Sequence, residues 1–241
     1  TSVCAEYSAN TERWRKNRAA TDGQDAVKLA GTMFLPDDSE ADASPAARLR
    51  YARYQMRAVW MPVSSYTVAG LSGMVFRLPA DVELPSQLEY LETNADGAGL
   101  SLEQLAKLCL DEVLIVGRSI LLSEYPQSES GLSAEEVARR NLQARITTYA
   151  AEAADNWKFE LVGGVMKLTM IKLCEQTEIE KDEFTVEIKK QYRVLRLRDG
   201  VYTQAIYDDK GEVVVEEFAP VDFTGSTFDH IPLQIIGAEN N

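Results

Sequence analysis

The side chains best suited to chemistry in this sequence are one histidine, three cysteines and many carboxylates. His230, the single imidazole, stands directly before Ile231 and Pro232 at the start of an expected strand. A hydrolytic triad or a zinc site needs imidazole with specific partners. No second histidine supplies one, so His230 reads as a strand-edge residue. Cys4, Cys109 and Cys174 are far apart, odd in number and without a C-x-x-C pair. That argues against a disulfide framework and points to a buried thiol at Cys109 and a reducing compartment during folding. Asp37, Asp38, Glu40 and Asp42 resemble the opening of a calcium loop, but Ala43 and Leu49 stand where such a loop needs Gly and Glu. Asp111 and Glu112 are helix neighbours whose side chains diverge, and Asp208 with Asp209 is turn chemistry. Solvated surface is the expectation for all three acidic groups. No phosphate-binding loop is present. Gly70, Gly73, Gly97 and Gly99 lack dinucleotide-binding spacing, and Gly70 and Gly73, three apart in an expected helix, point to close helix packing. Catalytic, cofactor-binding and metal-binding residues are accordingly expected to be none.

The elements that would position these residues change character along the chain. Residues 6–20 read as a polar helix carrying Trp14, closed by Asp22 and Gly23. A short helix over 24–30 follows, with Gly31 after it, then an acidic loop over 37–45. Residues 46–60 read as a helix with Leu49, Ala52, Met56 and Val59 on one stripe. Residues 63–73 continue as helix, 74–78 as a short strand, and 85–92 as a short helix. Ser101 with Gln104 forms a capping box that opens a helix to about Val116, apolar on nearly all sides and so expected at the centre of a core. Gly117 ends it, 119–125 is a strand, and a second capping box pairs Ser133 with Glu136.

After about Trp157, β-branched and aromatic residues alternate with polar ones over 165–175, 184–197, 201–207 and 212–218. Turn residues at Gly163 and Gly164, Asp199 and Gly200, and Asp209 to Gly211 make this an antiparallel meander, with 231–236 as a last strand. The fold class is therefore α+β: a helical N-terminal half packed with a mainly antiparallel β C-terminal half. Three regions are expected: 1–45, helices and acidic loop; 46–155, a helix-rich α/β core; and 156–241, the meander.

The formal charge is −13, from 38 acidic and 25 basic residues. Such a surface repels nucleic-acid phosphates and anionic lipid, although it would let DNA pass without gripping it. No run of about 18 or more apolar residues exists to cross a membrane as a helix. Against this background Arg50, Arg53 and Arg57 share one helix face. They can pair with acids of their own chain, or meet the acidic surface of a neighbouring copy as a subunit interface.

The order of motifs carries a resemblance: Trp14; Asp22 and Gly23; Ala26 to Gly31; Phe34 to Pro36; Tyr51, Tyr54 and Arg57 to Val59; Gly70 to Arg77; Asp96 to Gly99; Ser101 and Leu102; Glu112 to Leu114; Gly117 and Arg118; Tyr125 and Pro126; Asn156 and Trp157; Tyr192 to Leu195; Ile231 to Leu233; Ile236 and Gly237. This succession resembles a family of tailed-phage and prophage portal proteins first described as a domain of unknown function. The match spans nearly the whole chain. Its specificity lies in order and spacing, and residues 64–67 fit only loosely.

The resemblance implies a non-enzymatic ring subunit, typically in twelve copies, at one capsid vertex of the virion, assembled in the bacterial cytoplasm. DNA would pass through the ring, and the terminase motor, capsid protein and head-to-tail connector proteins would be its partners. It also implies a wing-like position for these residues, with the stem and clip lying beyond them in a longer protein. Two other classes stay open at this point: a carboxylate-dependent hydrolase, which needs two convergent acids in a cleft, and an acidic adaptor or DNA mimic, which needs a basic partner.

Overall fold

A computed structural model of the chain describes residues 2–37, 44–125, 143–182, 184–222 and 225–237. It is an α+β protein, with helices in the N-terminal half and two antiparallel sheets in the C-terminal half. The helices are α1 (Ala5–Asp22), α2 (Gln24–Leu29), α3 (Pro45–Arg57), α4 (Val63–Val75) and α5 (Leu102–Val116). A polar helix such as α1 is held by few apolar anchors, and here Trp14 serves: its ring is 2% exposed, meets Tyr7 edge-on, and packs with Val116 and Ala151. Gly23 leaves the helical region at φ 100°, so the chain turns between α1 and α2.

The Ser101–Gln104 capping box is formed in both directions, and α5 ends at Gly117 in the left-handed conformation, its N–H bonded to the Val113 carbonyl. That turn delivers the chain into β1 (Arg118–Glu124), the middle strand of a three-stranded sheet between β2 (Arg145–Ala150) and β8 (Leu233–Gly237). The second sheet is a meander in chain order: β3 (Ala154–Val162), β4 (Val165–Asp182), β5 (Thr185–Arg198), β6 (Val201–Asp208) and β7 (Val213–Phe218). Because side chains alternate along a strand, β1 serves two cores at once. Ile120 and Leu122 pack with Ile171, Leu173, Leu195, Tyr202 and Ile231, whereas Leu121 joins Leu105, Cys109 and Ala95.

Several expectations need correcting. Residues 74–78 form no strand: Met74 and Val75 complete α4, and no neighbouring strand offers hydrogen bonds. The helix expected over 46–60 stops at Arg57, where Ala58 turns extended at ψ 138°. Trp60 then swings back onto Phe34, and its indole N–H donates to the Ala20 carbonyl. Helix α5 is less central than its composition suggests, since Leu108 is 47% exposed. The β region starts earlier than expected, with β2 at Arg145. The last strand pairs with β1, not with the meander. β4 and β5 are longer than expected and pair with each other as far as Asp182 and Thr185. The Ser133–Glu136 capping box, Pro126 and most of the acidic loop lie outside the described residues.

Candidate functional site

Two arrangements invite a functional reading: a buried charge cluster between the sheets and an open apolar face on the helices.

The charge cluster is centred on Arg193 of β5. Its Nη1 lies 2.5 Å from Glu124 Oε1 at the end of β1, and its Nε lies 2.7 Å from Glu175 Oε1 of β4. Tyr149 Oη and Gln191 Nε2 donate to Glu175, while Arg145 Nε and Thr147 Oγ1 donate to Glu124. Together with Tyr90, Tyr125, Tyr202 and Phe228, the Glu124–Arg193 pair borders a cleft of about 540 Å³. Two convergent acids near a cleft are what a hydrolase would use, but here they converge on a guanidinium. Burial works to raise the Glu124 pKa, yet Arg193, Thr147 and Arg145 outweigh it and hold that carboxyl below its ordinary range. A general acid needs the opposite shift. Burial, followed by the Glu175 charge, pushes the Tyr149 phenol well above its usual value, so it stays protonated and donates. The cluster therefore fastens β1, β2, β4 and β5 to one another.

Most of the other sequence candidates have structural partners. Arg18 grips Glu112 and Glu152, tying α1 to α5 and to the turn before β3. Glu112 is thus bound in an ion pair, and Asp111 Oδ1 is buried with no hydrogen-bond partner among the described residues, so this pair is not the solvated surface expected. Asp208 Oδ1 accepts the N–H groups of Lys210 and Glu212 and shapes the β6–β7 turn. Asp96 and Asn94 accept backbone N–H groups around Gly97 and Gly99. His230 is exposed, its Nδ1 2.8 Å from Asp229 Oδ1. Cys109 is buried, and burial raises its thiol pKa. Among the described residues no group of three or more His, Cys, Asp and Glu side chains could hold a metal ion, and no helix is long and apolar enough to cross a membrane.

The open apolar positions lie on α3 and α4. Arg50, Arg53 and Arg57 are all exposed on α3, as the spacing predicts. Arg57 Nε donates to the Arg53 carbonyl at 3.2 Å, and neither residue forms an ion pair with a described carboxylate. The apolar stripe beside them is exposed too: Leu49 at 52%, Met56 at 76% and Val59 at 83%. On α4, Val63, Tyr66 and Met74 are 61–74% exposed. Gly70 and Gly73 lie between them, and a Cβ built on either glycine would meet no atom within 4 Å. The expected close packing at these glycines is thus absent among the described residues.

Helix α3 is hydrogen-bonded to α2 and to the segment after it: Gln55 Nε2 to the Lys28 carbonyl, Lys28 Nζ to the Met56 carbonyl, and Tyr51 Oη to the Leu35 carbonyl. Exposed apolar side chains gathered along a helix are what an interaction surface presents. One signal for it was already in the sequence and went unread. Residues 44–80 contain five arginines, Arg48, Arg50, Arg53, Arg57 and Arg77, and not one acidic residue, in a chain of charge −13.

No family model matches the chain, and no curated protein matches it in sequence.

Proposed function

We propose that this chain is a non-catalytic structural subunit of a tailed-phage portal ring, which assembles with copies of itself at the capsid vertex of the virion and lets DNA pass during packaging and ejection. The observation that carries the self-assembly in this reading is the α3–α4 face: exposed methionines, valines and tyrosine on an acid-free segment bearing five arginines. A monomer exposing such a face would lose solubility without return, whereas a neighbour with acidic surface would desolvate it and neutralise its charge. The order of motifs supports the portal assignment, and the net charge of −13 suits a wall past which DNA slides. The partners in this reading are further copies of the chain, typically twelve in the ring, with the terminase motor, capsid protein and head-to-tail connectors docking on it. It needs no cofactor.

Negative-stain electron microscopy and sedimentation of the whole natural polypeptide test the proposal. Rings with a central hole are expected. A strictly monomeric protein at the highest soluble concentration refutes it.

A further inference from the structure

The hairpin of β4 and β5 reaches beyond its own sheet. β3 accompanies β4 only as far as Leu173, and β6 accompanies β5 only from Gln191 onward. Between these limits Gln176 to Asp182 pairs with Thr185 to Lys190 as a two-stranded ribbon with no strand on either side. Six residue steps at ~3.4 Å give it a reach of about 20 Å. Isolated two-stranded ribbons are marginal in water unless something covers a face.

The ribbon's two faces differ in chemistry. Residues directly opposite each other share a face, so Glu178 with Ile188, Glu180 with Val186 and Gln176 with Lys190 lie together. On that face Val186 is 49% and Ile188 63% exposed, and Phe184 at the tip is 89% exposed. Glu178 and Glu180 have no ion-pair partner among the described residues. On the other face Glu187 takes both Lys181 and Lys189. One side of the ribbon therefore holds its carboxylate between two lysines, while the other sets exposed Val186 and Ile188 opposite two carboxylates without ion-pair partners among the described residues.

Helix α3 presents the counterpart: Arg53 and Arg57, with no carboxylate partner among the described residues, beside exposed Leu49 and Met56. The spacings agree. Two strand positions separate Glu178 from Glu180 by about 7 Å, and one helical turn separates Arg53 from Arg57 by about 6 Å.

We infer that the β4–β5 ribbon of one copy lies along α3 of a second copy, with Glu178 and Glu180 facing Arg53 and Arg57 and with Val186, Ile188 and Phe184 covering Leu49, Met56 and the start of α4. This rests on the self-assembly reading and adds its geometry. Ribbon and helix are different surfaces, so the contact is head-to-tail, the kind that closes into a ring when the rotation per copy divides a full turn.

The test places a benzoylphenylalanine photo-cross-linker at Phe184 in the whole natural polypeptide, irradiated at high protein concentration and low salt, with products mapped by mass spectrometry. The expected product joins residue 184 to residues 45–63 of another copy. Its yield falls about tenfold in Arg53→Glu/Arg57→Glu and recovers when Glu178→Lys/Glu180→Lys is added, because close charge pairs across an interface govern its lifetime. Intermolecular products that map elsewhere overturn the ribbon inference and leave self-assembly standing. A charge-swapped chain that fails to recover also overturns it, provided circular dichroism shows that chain folded. A whole polypeptide that gives no intermolecular product and sediments as a monomer overturns both.

Discussion

Replacing Gly70 and Gly73 together by alanine separates the needs of the isolated chain from those of an assembly. Both glycines lie within α4, where glycine costs about 0.5–1 kcal/mol relative to alanine through backbone freedom in the unfolded chain. Among the described residues neither added methyl meets an atom within 4 Å, so no steric term offsets the gain. The double variant should therefore be more stable as a monomer by about 1–2 kcal/mol, which for a chain of this size is a rise of about 2–8 °C in Tm. In an assembly the sign reverses, because the methyls stand between Tyr66 and Met74 on the face offered to a neighbour and hold the two backbones apart. Thermal denaturation of dilute protein, paired with sedimentation of concentrated protein, reads both effects. A lower Tm in dilute solution would refute the reasoning, since it would mean that something within the chain already occupies the face of α4. A higher Tm with unchanged self-association would remove α4 from the interface and leave α3 alone.

Arg53→Glu/Arg57→Glu should weaken self-association in sedimentation while leaving the Tm of dilute protein within about 2 °C, because both side chains are exposed on the chain's surface. Arg193→Met should cost about 3 kcal/mol in urea denaturation at pH 7, because it strands Glu124 and Glu175 with their side chains 11% and 10% exposed. Burial would then act on Glu124 without its largest opposing charge and push that carboxyl up, so the loss should shrink as pH falls. In the unaltered protein the sign is opposite. The depressed pKa of Glu124 contributes stability that is complete above the ordinary glutamate value of about 4.3 and fades as pH drops through the folded value, so acid titration should loosen the two sheets below that point. Ser101→Ala should cost about 1 kcal/mol, read as a lower Tm, because its hydroxyl caps the Gln104 N–H at the start of α5.

What could be read from the sequence was local. The Ser101–Gln104 capping box, Gly117 after α5, and the turns at Asp199 with Gly200 and at Asp208 to Gly211 each fix backbone within a few residues, and the structure has them all. The α+β division followed from the switch of periodicity. What could not be read depends on partners distant in sequence. Residues 231–236 look the same whether they join the meander or β1, and only the register of Ile235 on Ile120 decides. Arg193 is one charged residue in an alternating strand, and nothing local shows that Glu124 and Glu175 close on it. The stripe of Leu49, Met56 and Val59 shows periodicity without stating which way it faces. The chain's own core does not take it, and a period of three and four carries no sign for inside or outside.

The middle strand of the small sheet has a consequence for how the molecule comes apart. β1 is hydrogen-bonded on both edges, to β2 and β8, and covered on both faces, by the meander through Ile120 and Leu122 and by α5 through Leu121. Helical and sheet layers thus share a single plank, and neither can be lifted while the other stays seated. The amides of β1 should be the slowest in the molecule to exchange with deuterated solvent, and the two halves should melt in one transition.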